Sequence, residues 1–300
     1  MTSTILHPTP PPGQVLRAQI RAVGSALRWP AVVALALGTL ATVLVTTQLR
    51  VGGPLAFHPE HQMLPGMLGL LLPLAVWRGE TRFGAGFLWT LPVDRRRHAL
   101  AKVFAGWVWL TAAVALFVAW LLALTLLSGA SVLAEETILV LRSSTTPLRG
   151  LLDPAAVETV RWTPRPLLWL VPFTAATGAY LLTSALVLGV RHPLRWIAGA
   201  VLGLLLVDAV GTAVGAEWLD DAPELLMRWL LDGPYGFDVL LTARTESLKT
   251  LATLSTGEEV VVWRALPQVG RWATATLLWT GAGLLALWAA ASRHRGHRRR

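Results

Sequence analysis

The sequence has no cysteine, and only two of its 300 residues are lysine. Without cysteine, disulfides, thiol catalysis and cysteine-ligated metals are excluded. A phosphate-binding loop contains a Gly-Lys pair, and neither Lys102 nor Lys249 follows a glycine. Any ATP that the protein uses must therefore be bound by another chain, and we expect no cofactor in this one.

The motifs of membrane enzymes are also missing. The sequence contains no His-Glu-x-x-His pair, which would place two zinc ligands on one helical face, and no Gly-x-Ser-Gly motif in an apolar stretch. His58 and His61 flank a proline in a loop, and His294 and His297 stand among arginines that repel a cation. We therefore expect no metal site and no catalysis by this chain alone.

Acidic residues are few, 17 against 26 Lys and Arg, which gives a formal net charge of +9. A basic chain often binds nucleic acid, but here the positive residues border apolar stretches, where anionic lipid headgroups explain them better. We therefore expect contacts with membrane lipids and none with nucleic acid. Arg outnumbers Lys 24 to 2 in a chain rich in Ala, Leu and Gly, which is typical of a GC-rich bacterial genome.

Long apolar stretches dominate the rest of the chain. A helix needs about 20 mostly apolar residues to cross the roughly 30 Å hydrocarbon layer of a bilayer. Six stretches have this character, and the second is short and contains Pro65 and Pro73. The stretches are 31–49, 62–77, 99–127, 167–190, 194–214 and 269–292. They predict an all-α integral membrane protein with six transmembrane helices over residues 31–292.

The charged residues alternate between the two sides of these stretches. The segments before the first, after the second, after the fourth and after the sixth stretch, with the adjoining span ends, hold 16 Lys and Arg and two acids. The other side holds 10 Lys and Arg and 14 acids. Because basic residues near span ends stay in the cytoplasm, both termini are predicted to be cytoplasmic, in the inner membrane of a bacterium.

Residues 1–30 are predicted to form a separate lead, and residues 293–300 a basic cytoplasmic tail. After a proline-rich patch, residues 14–29 place four apolar side chains on one helical face with three arginines beside it. The apolar residues are Leu16, Ile20, Val23 and Leu27, and the arginines are Arg17, Arg21 and Arg28. We expect an amphipathic helix in the cytoplasmic interface, with its apolar face on the lipid. The alternative is a disordered basic lead.

Two longer segments, 128–166 and 215–268, are predicted to form loops outside the cell. The first gives no functional signal. In the second, Pro223 follows two aspartates at a helix start, and the run from Asp232 to Pro234 ends that helix. Residues 237–254 form a second helical stretch. Both are too short or too polar to span, so we expect helices that lie on or dip into the outer leaflet.

The most informative segment is the loop at 78–98, between the second and third stretches. It begins with alternating charges, continues through an apolar, glycine-containing helix candidate, and breaks at a proline before a run of three arginines. By itself this pattern describes a short cytoplasmic helix lying across the membrane face. It equally fits a plain loop anchored by basic residues.

This loop resembles the coupling loop of permease subunits of type-2 ABC exporters. The resemblance rests on an acidic residue after span two, a small glycine-bearing helix, the run Leu-Pro-Val-x-Arg, and a lysine in span three. The six-span plan with an N-terminal interfacial helix is also similar. The resemblance implies that the loop docks on a separate ATPase subunit, which binds ATP and Mg²⁺. The implied docking residues are Glu80, Arg82, Phe83, Pro92, Asp94, Arg95, Arg96 and Arg97, and Lys102 matches the family's lysine.

Two features of the fifth stretch fit a dimeric permease. Gly199 and Gly203 form a G-x-x-x-G pair, and Gly211 and Gly215 repeat it on nearly the same face. Such pairs let helices approach closely, either between protomers or within the chain. Asp208 is the one acid inside a span, and a charge at the bilayer centre costs about 2.5–3.5 kcal/mol. Asp208 should therefore face protein or water, as the partner of another helix or in a substrate path.

The leading hypothesis is the permease subunit of an ATP-binding cassette exporter. This chain would form the translocation pathway together with a second permease protomer, identical or related, and would carry no catalytic residue. The alternative is a non-transporting membrane protein, such as a sensor, an immunity factor or an assembly partner. The composition does not identify a substrate.

Overall fold

The computed structural model describes residues 12–52, 58, 63–77, 95–131, 135–143, 151–190, 192–214, 225 and 228–293, and for some of these only the backbone. The helices are α1 (Pro12–Ala26), α2 (Arg28–Gly52), α3 (Leu64–Val76), α4 (Arg95–Leu127), α5 (Val171–Gly189), α6 (Pro193–Val214), α7 (Phe237–Thr242), α8 (Thr245–Leu248) and α9 (Val269–Arg293). The strands are β1 (Glu136–Leu141), β2 (Leu151–Leu152), β3 (Val157–Trp162), β4 (Lys249–Leu254) and β5 (Glu259–Trp263).

Each of the six predicted apolar stretches contains a helix. Four of them are long and apolar enough to cross a bilayer, which gives the chain the build of a membrane protein. The four spans are Arg28–Thr47, Arg96–Leu127, Pro166–Gly189 and Val269–Ser292. Helix α3 has 13 residues with Pro73 inside it, so its rise of about 20 Å is shorter than the hydrocarbon layer. The described residues thus contain four candidate spans, and the six-span count remains a prediction.

Helix α5 is the centre of the bundle, and α3, α4 and α9 pack around it. Small residues allow this close approach. A Cβ atom on Gly69 of α3 would collide with the carbonyl oxygen of Ala176, and one on Gly283 of α9 would lie 2.8 Å from the Cβ of Leu181. The backbones are therefore in direct contact, which is how helices pack without a hydrophobic driving force in lipid.

The prediction of an all-α fold is wrong, because the two long outer loops fold together into a five-stranded sheet of order β2-β4-β5-β1-β3. Antiparallel pairs join β1 to β3 and β4 to β5, and parallel pairs join β1 to β5 and β2 to β4. The strands are rich in Val and Thr, which favour strands. The helix predicted over 237–254 is likewise wrong from Lys249 onward, where β4 begins.

The sheet is curled. Strands β2 and β3 stand at its opposite edges, yet only residues 153–156 separate them along the chain. Five residue steps reach about 17 Å at full extension, whereas the edges of a flat five-stranded sheet lie about 19 Å apart. The concave face holds a small apolar cluster that includes Leu152, Val157 and Val262. The other face packs on the beginnings of α5 and α9 through Trp162 and Trp263.

Helix α1 forms as predicted, but its apolar face does not lie on lipid. Val23 and Leu27 are buried in the same cluster as Ala99 and Val103 of α4. The indole Nε1 of Trp109 donates a hydrogen bond to the carbonyl of Ile20 at 2.9 Å. The arginines beside this face remain exposed. The periodicity therefore identified the buried face correctly. Its partner is α4 and not the lipid that was predicted.

The loops gather at two ends of the bundle. One end carries α1 and the first turns of α4, and we call it the basic end. The other carries the curled sheet, and we call it the sheet end. His58, between α2 and α3, lies at the sheet end, where its Nε2 is 2.7 Å from Oε1 of Glu136. The three segments predicted to lie outside the cell thus contribute residues to the sheet end, and α1 packs beside the start of α4 at the other.

Candidate functional site at the base of the 78–98 loop

Most residues predicted to dock an ATPase lie outside the described part of the chain. These are Glu80, Arg82, Phe83, Pro92 and Asp94. Arg95 is described by its backbone alone, as the first residue of α4. The structure instead shows the two stems between which the loop runs, the end of α3 at Trp77 and the beginning of α4.

The first stem ends in a buried tryptophan. Trp77 is 1% exposed, and its backbone N–H donates to the carbonyl of Pro73 at 3.1 Å, closing the last turn of α3. The Nζ of Lys102 lies 4.7 Å from the centroid of the Trp77 ring. Lys102 is only 7% exposed, so this cation–π contact is desolvated, the setting in which such contacts are strongest. It joins the two stems directly.

The second stem is fixed to the central helix. The hydroxyl of Tyr180 donates to the carbonyl of Val103 at 2.8 Å, and Gly106 leaves room for that hydroxyl, which a Cβ atom would displace. The Nε1 of Trp107 donates to Oγ1 of Thr177 at 3.2 Å. Because the accepting carbonyl of Val103 is already in a helix, the tyrosine adds a second bond there without breaking the helical ladder.

Helix α1 holds the same stem from the other side. Gln19 Nε2 lies 3.5 Å from His98 Nδ1, and a Cβ on Gly24 would lie 2.7 Å from the Trp109 indole. The glycine therefore lets the ring lie flat against α1. The first part of α4, from His98 to Trp109 or about three turns, is thus held by α1, by α3 and by α5, so the base of the loop is a rigid junction.

The exposed surface around this junction is positively charged. Arg17 and Arg21 of α1 and Arg97 of α4 are exposed, whereas Arg96 is half-buried. No group of three or more metal-ligating side chains occurs among the described residues. The exposed arginines are suited to contact an acidic protein surface or anionic lipid. Because both stems are fixed at the junction, a displacement of the loop would also move α3 and α4.

Two of the predicted packing glycines have open space in front of them. A Cβ atom built on Gly199 or Gly203 would meet nothing within 4 Å. Gly211 is also in α6, Gly215 lies outside the described residues, and Asp208 is described by its backbone alone. Among the described residues, none packs closely against Gly199 or Gly203.

The rigid junction itself was not foreseen from the sequence. Lys102 was picked out only as a match to the family's lysine, and neither Trp77 nor Tyr180 was selected. A signal did exist, since a lone lysine in an apolar span needs a partner within the protein. The sequence gives no means of choosing Trp77 among 15 tryptophans.

Comparison with known proteins adds no relative. No family model, no curated protein and no solved structure matches the chain.

Proposed function

We propose that this chain is the permease subunit of an ATP-binding cassette exporter in the inner membrane of a bacterium. The observation that carries the proposal is the junction at the basic end, where Trp77, Lys102 and α1 fix both stems of the 78–98 loop. A loop that only connects two spans needs no such base. A loop that receives force from an ATPase does, because a soft base would absorb the movement.

Movement of the loop has a defined route through the bundle. The stems continue into α3 and α4, and both pack on α5, which in turn packs on α9. The beginnings of α5 and α9 lie under the sheet, in one cluster with Trp162 and Trp263. In our proposal, ATP-driven closure of the partner subunits tilts α3 and α4 and so changes the arrangement at the sheet end.

A second permease protomer completes the pathway in this proposal. Helices α2 and α6 expose large apolar side chains along their length, and the open faces at Gly199 and Gly203 are of the kind that pairs helices in membranes. In this proposal the basic end is cytoplasmic, because basic residues flank the spans there, the sheet is extracytoplasmic, and the chain crosses the membrane six times.

The proposal is tested by exchanging charges on the loop. The triple variant Glu80→Lys, Arg95→Glu, Arg96→Glu is expected to insert normally and to lose an ATPase subunit that co-purifies with the tagged wild-type protein. The matched control is Glu158→Lys, Arg142→Glu, Arg161→Glu, which exchanges the same charges on exposed residues of the sheet end. Loss of the ATPase from both variants, or from neither, would remove the docking role from this loop.

A further inference from the structure

A helical hairpin from the sheet end packs against α9 within its candidate membrane span. It runs through a π-helical turn at Arg228–Asp232, a tight turn at 233–236 and α7. The Nε1 of Trp279 donates to the carbonyl of Tyr235 at 3.0 Å, and the rings of Phe237 and Trp279 meet edge to face at 5.3 Å. The hairpin tip is therefore level with Trp279 of α9.

The depth of Trp279 follows from helix geometry. It lies eight residues beyond Arg271, which is exposed near the start of α9, and thus about 12 Å further along the helix. Ser292, at the other end of the span, is about 20 Å away. Trp279 and the hairpin tip therefore lie within the candidate span of α9.

The body of the hairpin is packed in the bundle, as a structure at this depth must be. Val239 and Leu240 of α7 are fully buried. A Cβ on Gly178 of α5 would lie 2.8 Å from Leu240, and one on Gly66 of α3 would collide with Leu241. One face of α7 is thus pressed against α5 and the beginning of α3.

The tip carries two carboxylates. Asp232 ends the first arm of the hairpin and is exposed. The two arms approach closely at this point, because the carbonyl oxygen of Leu231 leaves no room for a Cβ atom on Gly236. Asp238 opens α7, and its Oδ1 accepts a hydrogen bond from the Thr242 hydroxyl at 3.0 Å. An exposed carboxylate in hydrocarbon is strongly unfavourable, and intramembrane acids face protein or a water-filled cavity.

We infer that the tip of this hairpin forms the floor of a water-filled vestibule that opens at the sheet end and reaches well below the membrane surface. Asp232 lies in the vestibule, and the exposed ring of Tyr235 lines it beside Asp232. The inference needs only the membrane-spanning helices, and it holds or fails independently of the proposed ATPase coupling.

Cysteine accessibility tests the vestibule directly, because the natural chain contains no cysteine. Asp232→Cys and Tyr235→Cys are labelled in intact cells with a charged, membrane-impermeant methanethiosulfonate. Leu278→Cys is the control, because Leu278 is an apolar residue of the same span, 55% exposed and next to Trp279 in sequence. A thiol reacts as its thiolate, which hydrocarbon disfavours by several pKa units. The two hairpin cysteines are therefore expected to react at least about 100-fold faster than Leu278→Cys.

Two results would overturn the inference. If both hairpin cysteines are as unreactive as Leu278→Cys in correctly inserted protein, the tip faces lipid or is covered by protein. If all three react rapidly, the level of Trp279 lies outside the hydrocarbon layer. Tyr235→Cys keeps both carboxylates, so it decides the question if Asp232→Cys does not insert.

Discussion

The helices of this chain fall into two groups that differ in how much of their surface the chain itself covers. In the candidate span on α5, 61% of the 18 most apolar consecutive residues are buried, whereas in the span on α2 none of them are. Helix α6 resembles α2, with Leu202 and Leu206 about two-thirds exposed, at 65% and 66%. The chain thus builds a compact group of α3, α4, α5 and α9 and leaves α2 and α6 beside it.

Apolar composition alone does not separate the two groups, because lipid satisfies an apolar surface as well as protein does. What separates them is the use of glycine. Gly69 touches the backbone of α5, whereas Gly203 of α6 has open space in front of it. The partner that we propose for α6 is a second protomer.

Enlarging Gly69 is expected to break the compact group. Gly69→Val places its side chain against the carbonyl of Ala176, and overpacking against backbone costs about 3 kcal/mol. The thermal midpoint of the purified protein in mild detergent should fall sharply. Gly203→Val is the matched control and should leave that midpoint of the isolated chain unchanged. Equal destabilisation by both substitutions would contradict the contrast.

Enlarging the α6 glycines is expected to affect assembly and not folding. The double variant Gly199→Leu, Gly203→Leu should weaken association of protomers about tenfold, or about 1.4 kcal/mol, because close approach of two helices is lost. The fraction of dimer is measured by the cross-linking yield as a function of the detergent-to-protein ratio. An unchanged dimer fraction would mean that the α6 surface carrying Gly199 and Gly203 contacts lipid and not a second protomer.

Removing the cation at the loop base is expected to loosen the loop stems. Lys102→Met abolishes the contact with the Trp77 ring, while Lys102→Arg keeps a cation over it. A desolvated cation–π contact is worth about 1 kcal/mol or more, so backbone hydrogen exchange after α3 should rise about fivefold in the Met variant alone. Identical exchange in the Met and Arg variants would show that Lys102 does not hold Trp77.

The smallest effect is expected where α2 touches the compact group. The Nε1 of Trp120 donates to Oγ1 of Thr42 at 2.9 Å. Thr42→Val keeps the shape and removes the acceptor, and interhelical hydrogen bonds in membranes average about 0.6 kcal/mol. The unfolding free energy should therefore change by less than about 1 kcal/mol. A loss of several kcal/mol would mean that α2 belongs to the compact group after all.

The sequence predicted the local elements of this fold better than their partners. Apolar length located the helices, and periodicity identified Val23 and Leu27 as a buried face, because both depend on neighbouring residues. The sheet was missed because its parallel pairs join residues far apart, such as Leu139 and Val262, and because β2 has only two residues. That the helices after residue 215 lie on or dip into the outer leaflet remains a prediction, and the pairing of Trp279 with Tyr235 depends on the tertiary structure.

At the candidate site, too, the local pattern could be predicted from the sequence and the tertiary contacts could not. The charged loop at 78–98 was recognised from its residues and its resemblance to a permease family, and its docking residues remain predictions. The junction that holds the loop depends on three helices meeting, which no local pattern encodes. Tyr180 illustrates this, since its hydroxyl reaches Val103 across 77 positions.

The central claim, that this chain is one half of a transporter driven by a separate ATPase, is tested most directly by native mass spectrometry. The tagged protein is purified in mild detergent from cells that express the genes neighbouring its own. We predict one assembly with two permease chains, identical or related, and two ATPase chains. A single chain without any ATPase, from preparations in which the fold is intact, would contradict the account.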